Sequence, residues 1–130
     1  MRRRVKLGLI IIVALALVAC ATFQQNTYRT LYTAGTSYDT AMTTVSTFQK
    51  QGLISTAQRE EINKLANIYY VAYHASVDAF EAYKLSTTSS NEEKVISSMT
   101  SMFSRWKDFA SYVNRLRPGT LAPDLAEVDK

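Results

Sequence analysis

His74, Asp78 and Glu81 stand at i, i+4 and i+7, a spacing that brings an imidazole and two carboxylates onto one face of a helix. Three such groups can ligate a metal ion or share acid–base work. Their surroundings weigh against both roles. On a helical wheel His74 lies opposite Leu65 and Tyr83 and among Glu60, Asn67 and Asp78, at the middle of a polar arc. Metal ligands are held in a dry, shaped pocket with hydrogen-bonding partners behind them, and a solvated helical turn provides neither. Met99 and Met102, three apart in "MTSMF", would suit soft Cu(I), but they fall on the apolar stripe of their segment and read as core filler. No Gly-rich phosphate loop, nucleophile elbow, zinc-protease motif or Cys-x-x-Cys-His haem attachment occurs in the sequence. The pairs Glu60-Glu61 and Glu92-Glu93 sit at expected helix starts, where the helix dipole accounts for them. The chain is expected to be no enzyme and to need no metal or cofactor.

The one cysteine, Cys20, lies in "VALALVACATF", residues 13 to 23. Before it come Arg2, Arg3, Arg4 and Lys6, then an apolar run over residues 7 to 19. That run is shorter than the roughly 20 residues a helix needs to cross the hydrocarbon core. A basic start, a short apolar run and small residues at its end are the parts of a secretory signal. The segment Leu17-Val18-Ala19-Cys20 resembles the lipobox of bacterial prolipoproteins: an aliphatic residue, a tolerant position, a small residue and then Cys. The resemblance covers the first twenty or so residues. It implies a diacylglycerol on the Cys20 sulfur, removal of residues 1–19, and acylation of the new amino terminus. The alternative is an ordinary signal anchor with a buried, inert Cys. In envelopes with two membranes the residue after the lipidated Cys guides sorting, Asp there often causing inner-membrane retention. Ala21 stands here, which by the same resemblance implies the outer membrane, facing the periplasm, or otherwise the outer face of the cytoplasmic membrane.

Removal of the leader changes the charge reading. The whole chain carries +4, and four of its basic residues lie before residue 7, so residues 20–130 are neutral overall. No basic stripe remains to neutralise phosphates, and nucleic acid is not expected as a partner. With Cys20 acylated no thiol is left for a disulfide or a metal.

Residues 20–130 suffice for one small domain. Residues 20–24 read as a lipidated Cys with a short tether, 25–117 as helices, and 118–130 as a C-terminal tail. Over residues 25–51, Tyr28, Leu31, Tyr32, Tyr38, Met42 and Val45 recur at spacings of three and four, and Gly52 supplies a left-handed stop. Ser55 with Gln58 has the form of a capping box opening a second helix. That helix carries Ile62, Leu65, Tyr69, Ala72, Ser76, Ala79 and Tyr83 on one stripe. Beside it Ala66, Tyr70, Tyr73, Val77 and Phe80 form another, an apolar arc wide enough to touch two neighbours. Ser90 with Glu93 suggests another box. Val95, Met99, Met102, Trp106, Phe109, Val113 and Leu116 then continue the period to Pro118-Gly119. Short connections make sequential helices antiparallel, so the expected fold is all-α, an up-down-up three-helix bundle. The rival is a hairpin that completes its core by dimerising.

Two features point to contacts. The eight tyrosines all lie in the expected helices, on or beside apolar faces, where a large apolar body with a hydroxyl serves a core edge or a contact surface. The outer face of the first helix is Thr33, Thr36, Thr40, Thr43, Thr44 and Thr47, hydroxyls and methyls where charges are usual. Thr33, Thr36, Thr40, Thr47, Tyr69 and Tyr73 are therefore candidates for a contact surface. The functional expectation is a membrane-anchored structural or interaction module that docks another envelope protein, a second copy of itself, or the cell wall through its Thr and Tyr faces. Its alternative is a binding module for a small apolar or aromatic ligand walled by Tyr69, Tyr73, Phe103 and Trp106; a further variant is a phage-type lysis or exclusion lipoprotein.

Overall fold

The computed structural model describes the backbone of residues 2–125 and the side chains of residues 14, 15 and 17–125. Most side chains of the expected signal segment, and residues 126–130 of the expected tail, lie outside the described residues. Three helices make up the fold: α1 (Arg2–Lys50), α2 (Thr56–Leu85) and α3 (Ser89–Leu116). Contacts set their directions. Phe23 meets Tyr83 and Tyr38 meets Tyr69, so α1 and α2 run antiparallel; α3 returns along α2, with Trp106 against Tyr69. The all-α three-helix bundle expected from the sequence is the observed fold. α2 is its centre: α3 packs along it closely, α1 packs on it less extensively, and α1 and α3 barely meet.

The junctions follow from local chemistry. Gly52 adopts φ +70°; its N–H donates to the Gln49 carbonyl and that of Leu53 to the Phe48 carbonyl, the paired bonds of a Schellman stop. Ser55 closes the expected capping box: its hydroxyl accepts from the Gln58 N–H at 3.1 Å, and its own N–H donates to the Gln58 side chain at 2.8 Å. The third helix starts earlier than Ser90. Thr88 is its cap, accepting from the Asn91 N–H at 3.1 Å, and the Asn91 amide reaches back to the Ser86 carbonyl. In a run of Ser and Thr every hydroxyl is a candidate cap, and Asn91 selects Thr88.

Three further expectations are corrected. The tether over residues 20–24 is helical and continuous with α1, because "CATFQ" holds no breaker and Phe23 already packs edge-on to Tyr83 at 5.0 Å. The buried stripe of α1 is Thr27, Leu31, Ala34, Ser37, Ala41 and Val45. Tyr28 and Tyr32, read as core, are 62% and 66% exposed, since small residues let α1 approach α2 closely whereas two tyrosines would hold it off. The C-terminal segment, read as a tail, belongs to the domain through residue 125. Gly119, at φ +75°, turns it. The Asn114 side chain then accepts from the N–H groups of Thr120 and Leu121 and donates to the Leu121 carbonyl. The Trp106 indole N–H donates to the Ala122 carbonyl at 3.0 Å, and Leu125 is buried. The segment runs back along α3 and lies beside α1 where the two helices part.

Candidate functional site

Cys20 is exposed and sits where α1 leaves the bundle. Toward its amino terminus, the described side chains Leu15, Leu17 and Val18 are all about two-thirds exposed. Toward its carboxyl terminus Phe23 begins the packing against α2. From Cys20 to Lys50 α1 is about 45 Å long at 1.5 Å per residue, the same as the 30 residues of α2. The sulfur therefore lies level with the end of the domain, beside Tyr83. The Tyr83 phenol is held above its ordinary pKa, by burial first and by the neighbouring Cys20 thiol second.

His74, Asp78 and Glu81 are exposed on α2. The imidazole is engaged by rings, 4.4 Å from Tyr70 and 5.4 Å from Tyr73, while Glu81 pairs with Lys84 at 2.8 Å. Among the described residues no group of three or more His, Cys, Asp or Glu side chains is placed to hold a metal ion. Met102 is fully buried and Met99 packs against the same core.

The tyrosines divide. Tyr69 is fully buried, which removes it from any contact surface. It lies 5.1 Å from Trp106, and its hydroxyl donates to the Ala34 carbonyl at 2.9 Å across the α1–α2 seam. Burial, then the neighbouring Tyr73, pushes its phenol far above the usual value. Tyr73 is half-buried and lies over Gly35: a Cβ there would stand 2.8 Å from the phenol oxygen, so a glycine is needed for the close approach. Phe103 faces a different hollow with Pro123 and Leu125. The wall of Tyr69, Tyr73, Phe103 and Trp106 expected for a ligand does not form.

The threonine face does gather. Thr36, Thr43, Thr44 and Thr47 turn their hydroxyls back to the carbonyl four residues earlier, so they present methyl groups outward. The Thr33 and Thr40 hydroxyls do not, and make no hydrogen bond within the described residues. Thr33, Thr36 and Thr40, together with Ser37 and Ala41, form the α1 wall of a hollow of about 340 Å³. Its other walls are Trp106 from α3 and Thr120, Leu121 and Ala122 from the returning segment. Ser37 is buried, and its hydroxyl has no hydrogen-bond partner, an omission that costs about 1–3 kcal/mol. Thr47 lies outside this hollow. The threonine period was readable in the sequence. The opposite wall was not, because it depends on Asn114 turning the chain back, and a single Asn six residues before a loop position carries no periodic signal. No protein-family model, curated protein or solved structure matches this chain.

Proposed function

We propose that this chain is a bacterial envelope lipoprotein, cleaved before Cys20 and acylated there, whose three-helix domain is a structural and protein-interaction module. The observation that supports it most is the register of the leader with the domain. The residue that the lipobox resemblance would acylate is also the exposed residue at which α1 parts from the bundle. Cleavage there leaves intact the part of α1 that packs on α2 from Phe23 onward. Two or three acyl chains hold a protein firmly where one does not, and with residues 20–24 helical the domain stands within a few ångströms of its bilayer. The surface left for a partner is the outer face of α1, with the Thr36 and Thr47 methyls, Thr40, and the stacked rings of Tyr28 and Tyr32. A face whose charges are limited to Arg29, Asp39 and Lys50 suits another envelope protein or a second copy, and it lacks the dense positive charge that nucleic acid would need. Ala21 favours the outer membrane, facing the periplasm. A second reading, a binding module for a small ligand, is favoured by the hollow over Trp106.

Growth with an alkyne fatty acid tests the anchor. The parent protein should be labelled, and Cys20→Ser should abolish the label and accumulate uncleaved precursor. Normal cleavage of an unlabelled parent would overturn the reading.

A further inference from the structure

We infer that the hollow between α1 and the returning C-terminal segment is a binding site for a neutral, mainly apolar molecule of one or two rings that carries a hydrogen-bonding group at its edge. The inference rests on the second reading above and is independent of the lipid on Cys20.

Size sets the first limit. A volume of about 340 Å³ lies near the lower end of ligand pockets, which run from about 300 to 1,000 Å³. Charge sets the second: none of the lining residues is ionisable except Tyr32, so a charged ligand would lose its hydration without gaining a partner. The walls set the third. Trp106, Ala41, Leu121 and Ala122 are apolar in their side chains, and Thr36 adds a methyl because its hydroxyl is already committed to the Tyr32 carbonyl. Thr33 and Thr40, seven residues apart on one face, keep their hydroxyls free. In the same wall the buried Ser37 hydroxyl is without a partner although a helix offers it the carbonyl four residues back. Thr22, Thr30, Thr43, Thr44 and Thr47 elsewhere along α1 use that bond, as Thr36 does, whereas Thr33, Ser37 and Thr40 in this wall do not. The site is also built to keep its shape. Three hydrogen bonds with Asn114, which donates one and accepts two, and one donated by Trp106 fix the segment that forms its far wall.

Trp106 is the chain's only tryptophan, and its indole N–H bonds to Ala122 within the site, so one resonance reports on occupancy. The experiment is a titration of the ¹⁵N-labelled full chain in lipid nanodiscs with 2-naphthol, followed at that indole resonance. It is repeated with naphthalene, which lacks the hydroxyl. The expected result is a saturable shift with both probes. Thr40→Phe, which fills the hollow from an exposed helical position, should abolish it, and Thr47→Phe, on the same helix outside the hollow, should not. Thr33→Val with Thr40→Val should weaken 2-naphthol by about three- to tenfold, the loss of a neutral hydrogen bond, and leave naphthalene unchanged. No shift up to the solubility limit, or equal shifts in Thr40→Phe and Thr47→Phe, would overturn the proposal. So would a Trp106 shift that follows protein concentration without any probe and is lost in Thr40→Phe, which would assign the hollow to a second copy of the chain.

Discussion

Trp106→Ala is the most demanding test of how this domain holds together. The indole is 2% exposed and touches three parts of the fold at once. Its ring lies 5.1 Å from Tyr69 of α2 and 5.6 Å from Phe109 of its own helix, and its N–H holds Ala122 of the returning segment. Truncating a buried Trp to Ala costs about 3–5 kcal/mol through lost transfer energy and the cavity left behind. Small domains have only about 5–15 kcal/mol in all. At this size 1 kcal/mol moves the melting midpoint by at least about 4 °C, so the midpoint should fall by about 12 °C or more. Trp106→Phe separates the two contributions. It keeps most of the ring volume and loses the bond to Ala122, so its cost should be about 1–2 kcal/mol. The assay is thermal and urea unfolding of the full chain in a mild detergent, followed by far-ultraviolet circular dichroism. A cost below about 1 kcal/mol for Trp106→Ala would refute the reasoning, because a shared packing centre of three elements cannot be removed so cheaply.

Tyr69 should make the fold sensitive to alkali. Its folded pKa is raised by burial, so its contribution is present below the ordinary phenol value near pH 10 and is lost as pH rises through the folded value. Stability measured from pH 8 upward should therefore decline above about pH 10. Tyr69→Phe should cost about 1 kcal/mol at neutral pH and reduce that decline, leaving the part due to Tyr38, Tyr73 and Tyr83, which are raised in the same direction. At the start of α3, Thr88→Ala should cost about 1 kcal/mol and Ser90→Ala less than about 0.5 kcal/mol in urea unfolding; the reverse order would restore Ser90 as the cap. His74→Ala should change stability by less than about 0.5 kcal/mol, and zinc or copper should move neither midpoint; a metal-dependent rise in the parent alone would make His74, Asp78 and Glu81 a site.

The parts of the fold that were legible in the sequence are those written by local chemistry or by a long period. The stripe through Ile62, Tyr69, Ser76 and Tyr83 specified α2 and its buried face, and Ser55 with Gln58 and Gly52 marked a start and a stop that the backbone realises bond for bond. The face of α1 was legible at Leu31 and Val45, which are buried, and misjudged at Tyr28 and Tyr32 for a physical reason. Tyr28 and Tyr32 carry more apolar area than Ala34 and Ala41, yet close approach to α2 selects the small residues and turns the large ones outward. The threonine candidates were legible by spacing, and Thr33, Thr36 and Thr40 do share one hollow. What closes that hollow was illegible: the return of Thr120–Ala122 is a tertiary event set by Asn114 and Trp106, and neither residue announces such a partner in the linear sequence.

The anchor on Cys20 is the central claim, and intact-mass analysis of the protein purified from bacterial membranes tests it most directly. The account predicts an amino-terminal residue that is Cys20, with residues 1–19 gone and the mass of two or three acyl chains present. A chain that still begins at Met1, or one cleaved elsewhere with an unmodified Cys20 thiol, would contradict it.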